Sequence, residues 1–410
     1  MKKILIHSLI FSPDGVSTAY LYNDIALQFK SSGYEVIVLT TTPHYNPLES
    51  QLTKQPLKWK IRGICKESMF NGIRVIHVPQ KKFKITLLRL LGFVYWHLVS
   101  FFIGLSIKNV DVILSPSPPL TIGYLNLWLG KLKNCKVVYN VQEIYPDLLG
   151  KTQGIVFKTL RKMEYKVYNN SDAVTTIDTV FYNTIIGRFE DKSKLHIISN
   201  FVDTELYHSG AFTDILDKKL FPETKNIKLL YAGNIGFAQD WVSLVRLAEK
   251  TRDLNIEYFV IGEGVMKHYV EDKQKVLKLE KLHVLPYQPR HQIPAILAYS
   301  DVQFIFMNPQ MEGQGFPSKV YTIMACSRPL LVCSGNNTPI VNFLQPLDCA
   351  KLVIEHDLEK KTDEITQWLA SITREELHRM GKHGEKIIQE CYTKEMVTKQ
   401  YVDLVDSLLK

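Results

Sequence analysis

Several short segments of this 410-residue chain hold residue types that could bind an anion or move a proton. Phe316-Pro317-Ser318-Lys319 places a hydroxyl and an ammonium at what reads as a helix start, with Pro317 at a first-turn position. Unpaired N–H groups and a partial positive charge at a helix start favour a phosphate, and Lys319 adds a full charge. Gly233-Asn234-Ile235-Gly236 and Gly262-Glu263-Gly264 each follow an apolar run, as loops at the carboxyl ends of strands do. Gln142-Glu143 closes another such run and offers a carboxylate, and Gly15 lies in the turn after the first one. Each segment also has a plainer reading. Pro317 and Ser318 can be only a helix start with Lys319 solvated, the glycines can serve ordinary turns, and Glu143 can cap the turn Tyr145-Pro146-Asp147.

Other chemistries are excluded by pattern. The turn after the first strand, Phe11-Ser12-Pro13-Asp14-Gly15-Val16-Ser17, has one glycine where a dinucleotide fingerprint needs three, and no phosphate-binding loop of the G-x-x-x-x-G-K-[ST] type occurs. The six cysteines are scattered without zinc spacing, which points to a reducing compartment. Asp14, Asp147 and Asp240 are isolated, so no metal and no other cofactor is invoked. At 46% hydrophobic and 22% charged residues the chain is globular, and its length suits two domains.

The formal charge of +9 is unevenly spread. Residues 52–89 hold ten bases (Lys54, Lys58, Lys60, Arg62, Lys66, Arg74, Lys81, Lys82, Lys84 and Arg89) against the single acid Glu67. Such a cluster wants a polyanion. The run TLLRLLGFVYWHLVSFFIGL at 86–105 follows, almost wholly apolar but interrupted by Arg89 and His97. It reads as a helix against a membrane interface, as a plain core helix, or as a span. The first of these makes residues 81–105 a membrane-associating segment on an anionic surface, with nucleic acid the weaker partner. The N-terminal apolar run is short, broken by His7 and Ser8, and lacks a small-residue cleavage site. A buried first strand is expected there, and a cytoplasmic protein peripherally held on the inner face of the cell membrane.

The positioning elements alternate between strand-length apolar runs and helix-length segments, the pattern of α/β folds with parallel sheets. Strands are expected at 4–9, 35–40, 73–78, 111–115, 136–141, 173–177 and 196–199, then at 227–232, 256–261, 283–285, 302–306, 330–333 and 351–354. Tyr22, Ile25, Ala26 and Phe29 mark the buried face of the first helix, with Ser17 as its N-cap and Gly33 at its end. A polar stretch separates the halves, so 203–225 is read as a linker. The expected architecture is two Rossmann-like doubly wound domains with a ligand cleft between them, 1–205 and 206–392, and a last helix at 393–410 crossing back onto the first.

FSPDGVSTAYLYNDIALQFKSSGYEVIVLT, NGIRVIHVP, ISNFVDTELY, YAGNIG, FVIGEG and YSDVQFIF occur in this order at family spacing. On these segments the chain resembles, over essentially its whole length, family 4 of the retaining glycosyltransferases, of GT-B architecture. VVYNVQEIYPDLL and QGFPSKVYTIMACSRPLL resemble the subgroup of O-antigen, capsule and exopolysaccharide assembly, similar to L-fucosaminyltransferases. The resemblance implies transfer of a sugar from a nucleoside-diphosphate sugar to a polyprenyl-diphosphate-linked saccharide. UDP is the favoured carrier and an N-acetylated deoxyhexose such as N-acetylfucosamine the guessed sugar. It implies a donor site of Gly15, Gly233, Asn234, Gly236, Glu263, Gln314, Gly315, Phe316, Ser318, Lys319 and Thr322, with Glu143 and Lys319 catalytic. The chain also departs from the family. The glutamate pair spaced E-x7-E falls on Gln314 and Thr322, and the Arg/Lys pair facing the diphosphate falls on Asn234 and Gln239. Thr322 is short enough to lose its hydroxyl to its own helix. These departures keep open an inactive partner subunit of the same fold; a nucleotide-sugar epimerase of the same two-domain shape is a third reading, which leaves the basic, aromatic stretch 81–105 without a use.

Overall fold

The computed structural model describes residues 1–44, 49–80, 85–149, 154–210, 213–312 and 316–410. The chain divides into two compact units, Met1–Asn200 together with Glu395–Lys410, and Phe201–Lys394.

The first unit is built on β1 (Lys3–His7), β2 (Glu35–Thr41), β3 (Lys58–Ile61), β4 (Cys65–Phe70), β5 (Ile73–Val78), β6 (Val112–Pro116), β7 (Lys136–Val141), β8 (Ala173–Thr176) and β9 (Leu195–Ile197). They form one sheet in the order β3-β4-β5-β2-β1-β6-β7-β8-β9, parallel except where β4 runs against β3 and β5. Strands covered on both faces are largely apolar, and Ile4, Leu5 and Ile6 are fully buried. The helix Ser17–Ser31 buries Tyr22, Ile25, Ala26 and Phe29. Its N-cap is Val16 with no side-chain bond, so Ser17 is the first helical residue and not the cap; Gly33 follows the helix at φ +87°.

β3 and β4 were not expected. β3 is exposed at every residue and β4 is mixed, so neither carries the apolar run that marks the parallel strands. The helix Thr86–Ser106 lies on the sheet through Trp96 and Ser100, both fully buried, while Leu87, Leu90, Leu91, Leu98 and Phe102 are exposed. Residues Leu87–Ser106 are long and apolar enough to cross a membrane by length and composition, and 17% of that window is buried. His97 has both ring nitrogens in hydrogen-bond contact, with the Phe93 carbonyl at 2.8 Å and Thr121 Oγ1 at 2.9 Å. Of the segment 81–105 read as membrane-associating, residues 81–84 lie outside the described ones. The helix Lys394–Leu408 packs on this unit: Tyr34 donates to Asp406, and Asn140 Nδ2 donates to Tyr401 Oη at 3.0 Å.

The second unit holds β10 (Ile227–Ala232), β11 (Ile256–Ile261), β12 (Leu282–Leu285), β13 (Val302–Phe306), β14 (Leu330–Cys333) and β15 (Ala350–Val353), all parallel, ordered β12-β11-β10-β13-β14-β15. The order reverses between β10 and β13, the place where such sheets open a crevice at their carboxyl ends. The stretch 203–225 is not a linker. It belongs to this unit, and Leu216 and Phe221 are buried against Leu230, Phe259 and Ile261. The halves instead divide at Asn200, and the returning chain runs beside the outgoing one: Val202 N–H donates to the Tyr392 carbonyl at 3.1 Å and Lys394 N–H to the Val202 carbonyl at 2.9 Å.

The helix Lys319–Ala325 is wedged between β13, β14 and the helix Arg374–Cys391, and its end is tight. Ser327 closes it at φ +57°, and a Cβ on Gly381 would lie 2.1 Å from the Ser327 carbonyl oxygen. Gly381→Ala should therefore destabilise the protein by about 1–3 kcal/mol through forced backbone movement. Gly384→Ala, whose Cβ would meet the side chains of Cys349 and Met324 at 3.2 and 3.3 Å, should cost less. In an open helix interior, Gly→Ala stabilises by up to about 1 kcal/mol. Urea unfolding in which Gly381→Ala matches or exceeds the wild type would remove the close contact from the account.

Candidate functional site

The second sheet's carboxyl end is assembled from two loops in backbone contact. β10 ends at Ala232 and passes into Gly233–Gly236, while β11 ends at Ile261 and passes into Gly262–Gly264. Gly233 N–H donates to the Ile261 carbonyl, and Ile235 N–H to the Glu263 carbonyl, both at 2.9 Å. Side chains are impossible at the contact. A Cβ on Gly262 (φ +145°) would lie 1.9 Å from the Gly233 carbonyl oxygen, and one on Gly264 (φ +157°) 2.2 Å from that of Ile235. The two loops therefore form one floor, fixed by hydrogen bonds and by the absence of side chains.

Lys319 reaches this floor from the far side of the reversal point, after β13. It is the first residue of the seven-residue helix Lys319–Ala325, with Ser318 as N-cap and no side-chain capping bond. Pro317 therefore precedes the cap and does not occupy the first turn. Lys319 Nζ donates to the Ala232 carbonyl at 3.2 Å, lies 3.7 Å from the centroid of the Tyr231 ring, and would be 2.8 Å from a Cβ on Gly233. The ring face attracts a cation without neutralising it. Among the described residues no carboxylate pairs with Lys319, and burial lowers its pKa to about 7. Tyr231 donates its phenol proton to the Asn234 carbonyl at 2.7 Å, which ties the ring under Lys319 to the glycine loop.

The remaining expected donor residues divide. Asn234 is exposed on the loop and Gly236 accepts a hydrogen bond from Trp241 Nε1 at 2.8 Å. Glu263 is exposed, but its carboxylate already accepts from Lys267 at 2.6 Å, which holds its pKa below the ordinary value. Thr322 Oγ1 donates to the Lys319 carbonyl at 2.8 Å, so its proton is spent inside the helix. The Phe316 ring packs on Tyr321 and Phe343 at 5.3 and 5.2 Å and faces the core. Gln314 and Gly315 lie outside the described residues. Sequence reasoning did not single out Tyr231 or Glu312. A polar aromatic ending an aliphatic strand was the available signal for Tyr231. Glu312 accepts from Gly335 N–H at 2.7 Å and lies 3.5 Å from His356 Nε2, fastening the approach to residues 313–315 onto the ends of β14 and β15; no motif marked it.

In the first unit, Gln142 and Glu143 follow β7. Asn140, buried, uses its whole amide: Oδ1 accepts from Tyr22 (2.5 Å) and Gln142 (2.9 Å), and Nδ2 donates to Thr175 (2.8 Å) and Tyr401 (3.0 Å). Gln142 is held further by Asn200 Nδ2, which donates to its Oε1 at 3.1 Å, and by Ser117 Oγ, which accepts from its backbone N–H at 3.0 Å. Glu143, next along this anchored backbone, is half-buried, has no hydrogen bond or ion pair among the described residues, and has its pKa raised by desolvation. It does not cap the following turn. That turn is held through Asp147, which accepts from both Arg161 and Arg188 at 2.5 Å, the same two guanidiniums that clasp buried Glu164. Gly15 lies partly buried between β1 and the first helix, beside Asp14, which accepts from His44 N–H at 3.0 Å.

The family model Glycosyltransferase Family 4 matches residues 19–206, and the model Glycosyl transferases group 1 matches residues 212–387. The putative colanic acid biosynthesis glycosyl transferase WcaI of Escherichia coli K12 is 25% identical over 336 residues, covering 79% of this chain and 81% of that protein. The probable glycosyltransferase WbjE of Pseudomonas aeruginosa is 23% identical over 325 residues, covering 74% and 76%. Among solved structures, Anabaena Alr3699/HepE in complex with UDP superposes with a TM-score of 0.73 at 12% identity, covering 99% of this chain and 100% of that one. With each half matched by a glycosyltransferase model and each folded around its own parallel sheet, the chain is a glycosyltransferase of the GT-B fold.

Proposed function

We propose that the protein transfers a sugar from a UDP-sugar to a polyprenyl-diphosphate-linked saccharide during assembly of a cell-surface polysaccharide, an O-antigen or a capsule. The name of WcaI supports a polysaccharide glycosyltransferase, that of WbjE a glycosyltransferase, and the UDP bound by HepE supports the carrier. One observation carries the chemical reading: the Lys319 amine has a carbonyl and a ring face for company and, among the described residues, no carboxylate. Transfer forms a bond from the acceptor hydroxyl oxygen to the anomeric carbon and breaks the bond from that carbon to the diphosphate. Negative charge grows on the departing diphosphate, and an aimed cation without an internal partner stabilises it there. Glu143 is the group proposed to orient the acceptor hydroxyl and take its proton; its raised pKa suits a base that must hold a proton briefly. Retention of configuration and an N-acetylated deoxyhexose as the sugar are proposed on the family resemblance. The lipid acceptor and the exposed apolar helix Thr86–Ser106 support peripheral attachment to the cytoplasmic face of the membrane.

Lys319→Ala should lower turnover roughly 10²–10³-fold with the fold intact, as loss of one aimed donor does. Lys319→Arg should keep part of the activity, because a planar fork does not replace a point charge. Exposed Lys192 is the control, and Lys192→Ala should match the wild type. The measurement is nucleoside diphosphate release at saturating donor and acceptor. Equal rates for Lys319→Ala and Lys192→Ala would sink the role.

The lysine's pKa gives a second test. A free lysine titrates near 10.4, whereas burial brings Lys319 to about 7. Above pH 7 the empty site is therefore mostly neutral, while a bound diphosphate favours the ammonium, so binding takes up a proton. UDP, whose diphosphate is mostly ionised above pH 7, should bind more weakly as pH rises from 7 to 9, approaching about tenfold per unit. Lys319→Met should bind weakly with no such slope. Calorimetry at pH 8 in buffers of different ionisation enthalpy reads the uptake directly. A wild-type affinity that is flat with pH and independent of buffer contradicts it.

A further inference from the structure

The β3–β4 hairpin takes no part in the proposed transfer. It closes the sheet with an edge strand, and exposed edges are ordinarily blunted by charge. Charge is present in excess: after Glu49, Lys54, Lys58, Lys60, Arg62 and Lys66 occur before the next acid, Glu67. Glu67 pairs with Arg74 and lies 3.7 Å from Lys60. Among the described residues no carboxylate reaches Lys54, Lys58, Arg62 or Lys66. Between these cations the hairpin displays Trp59, Ile61 and Ile64, exposed to 50%, 49% and 42%. Blunting an edge needs no tryptophan and no isoleucine. Lys66 Nζ lies 4.8 Å from the centroid of the Trp59 ring, so an ammonium and an indole are presented side by side.

One contact orients this surface. Tyr95 Oη donates to the Gly63 carbonyl at the hairpin turn, at 3.2 Å. Tyr95 belongs to the helix Thr86–Ser106, where exposed Leu87, Leu91, Leu98 and Phe102 recur at helical spacing on one stripe with Tyr95. The turn of the hairpin and the apolar stripe are thus neighbours on the first unit.

We propose that the β3–β4 hairpin is a second anchor for anionic lipid bilayers, with Lys58, Arg62 and Lys66 on phosphodiester headgroups and Trp59, Ile61 and Ile64 in the interface. The proposal rests on membrane attachment as read above, but it moves the electrostatic part of that attachment from the flank of the apolar helix to the sheet edge. Cations interleaved with tryptophan and aliphatic side chains suit a headgroup boundary. Single-stranded nucleic acid would instead want successive aromatic faces along a groove, and the hairpin exposes one, Trp59, its Phe70 packing on Phe11.

The test uses the full chain and vesicles of phosphatidylcholine, with or without 30 mol% phosphatidylglycerol as a roughly physiological anionic fraction. Wild-type protein should float with the anionic vesicles and be released by salt. Each base near an anionic surface contributes about 1 kcal/mol, so Lys58→Gln/Arg62→Gln/Lys66→Gln should lose on the order of 100-fold in partitioning. Trp59→Ala, which leaves the charge unchanged, should lose several-fold and keeps the test alive should the triple variant misfold. Leu91→Ser/Phe102→Ser, in the helix, separates the two anchors. If that variant loses binding while the triple variant and Trp59→Ala float like wild type, the hairpin proposal is overturned and membrane attachment stands. If the wild type ignores anionic vesicles, both fall. If a single-stranded oligonucleotide binds with the same loss in the triple variant and strips the protein from vesicles, the cations serve nucleic acid and the proposal is wrong.

Discussion

Parallel strands covered on both faces are largely apolar, and the polar side chains they do carry, such as Asn140, are spent on internal hydrogen bonds, so groups free to react fall at the strand ends. In the second sheet β10 and β13 are neighbours although the β11 and β12 units separate them in sequence. A residue opening the helix after β13 therefore meets the last carbonyl of β10. That is how Lys319 comes to rest on Ala232 and on the ring of Tyr231. The approach is open only because no side chain stands in it. Gly233 leaves room for the ammonium, and Gly262 and Gly264 let the β11 loop close against the β10 loop. A partnering aspartate would have made the lysine cheaper to bury. It would also have made an incoming diphosphate compete with an internal ion pair.

The residue types at the site were legible where chemistry demands a type and hidden where packing decides. Lys319 and the three glycines stand out as a cation and as backbone without side chains beside a strand end. Tyr231 does not, since an aromatic in an aliphatic strand reads as core, and it is in fact buried there. Its second use, as a face for a cation, needs a neighbour from a distant segment. Thr322 lost its hydroxyl to the helix, an outcome its short side chain allowed for but could not decide. Pro317 was misplaced by two residues because a proline at a helix entrance suits several positions just before or inside the first turn.

The same logic separates the elements. All thirteen expected strands are present with ends shifted by at most a few residues, and most are buried runs, the edge strands β9, β12 and β15 only in part. β3 was invisible because an edge strand of Lys-Trp-Lys-Ile has no buried face to announce it, and β4 because its buried residues, Cys65 and Ser68, make no apolar run. The stretch 203–225 was read as a linker from its polar residues, yet Leu216 and Phe221 are enough to pin it over Leu230 and Phe259. Two anchors in such a stretch do not make a periodic pattern, so only the packed structure shows them.

Charge distribution connects these observations. In the second unit many bases are answered by acids: Arg246 and Lys250 by Glu359, Lys250 also by Asp363, Lys351 by Glu364, and buried Lys361 by Asp240. Surface pairs of this kind contribute little to stability singly, but they neutralise. The formal surplus of +9 therefore does not spread evenly over the molecule. Part of it is concentrated on the exposed hairpin of the first unit, whose one acid, Glu67, is shared by Arg74 and Lys60. In the second unit, Lys319 has no carboxylate partner among the described residues. The two places differ in what they can bind. The hairpin is open, multivalent and flanked by apolar side chains, so it suits an extended anionic surface and is weakened by salt. Lys319 is partly buried, single and backed by fixed backbone, so it suits one compact anion and depends on pH rather than salt. An enzyme that takes a diphosphate-linked donor from solution and an acceptor from a membrane needs one site of each kind.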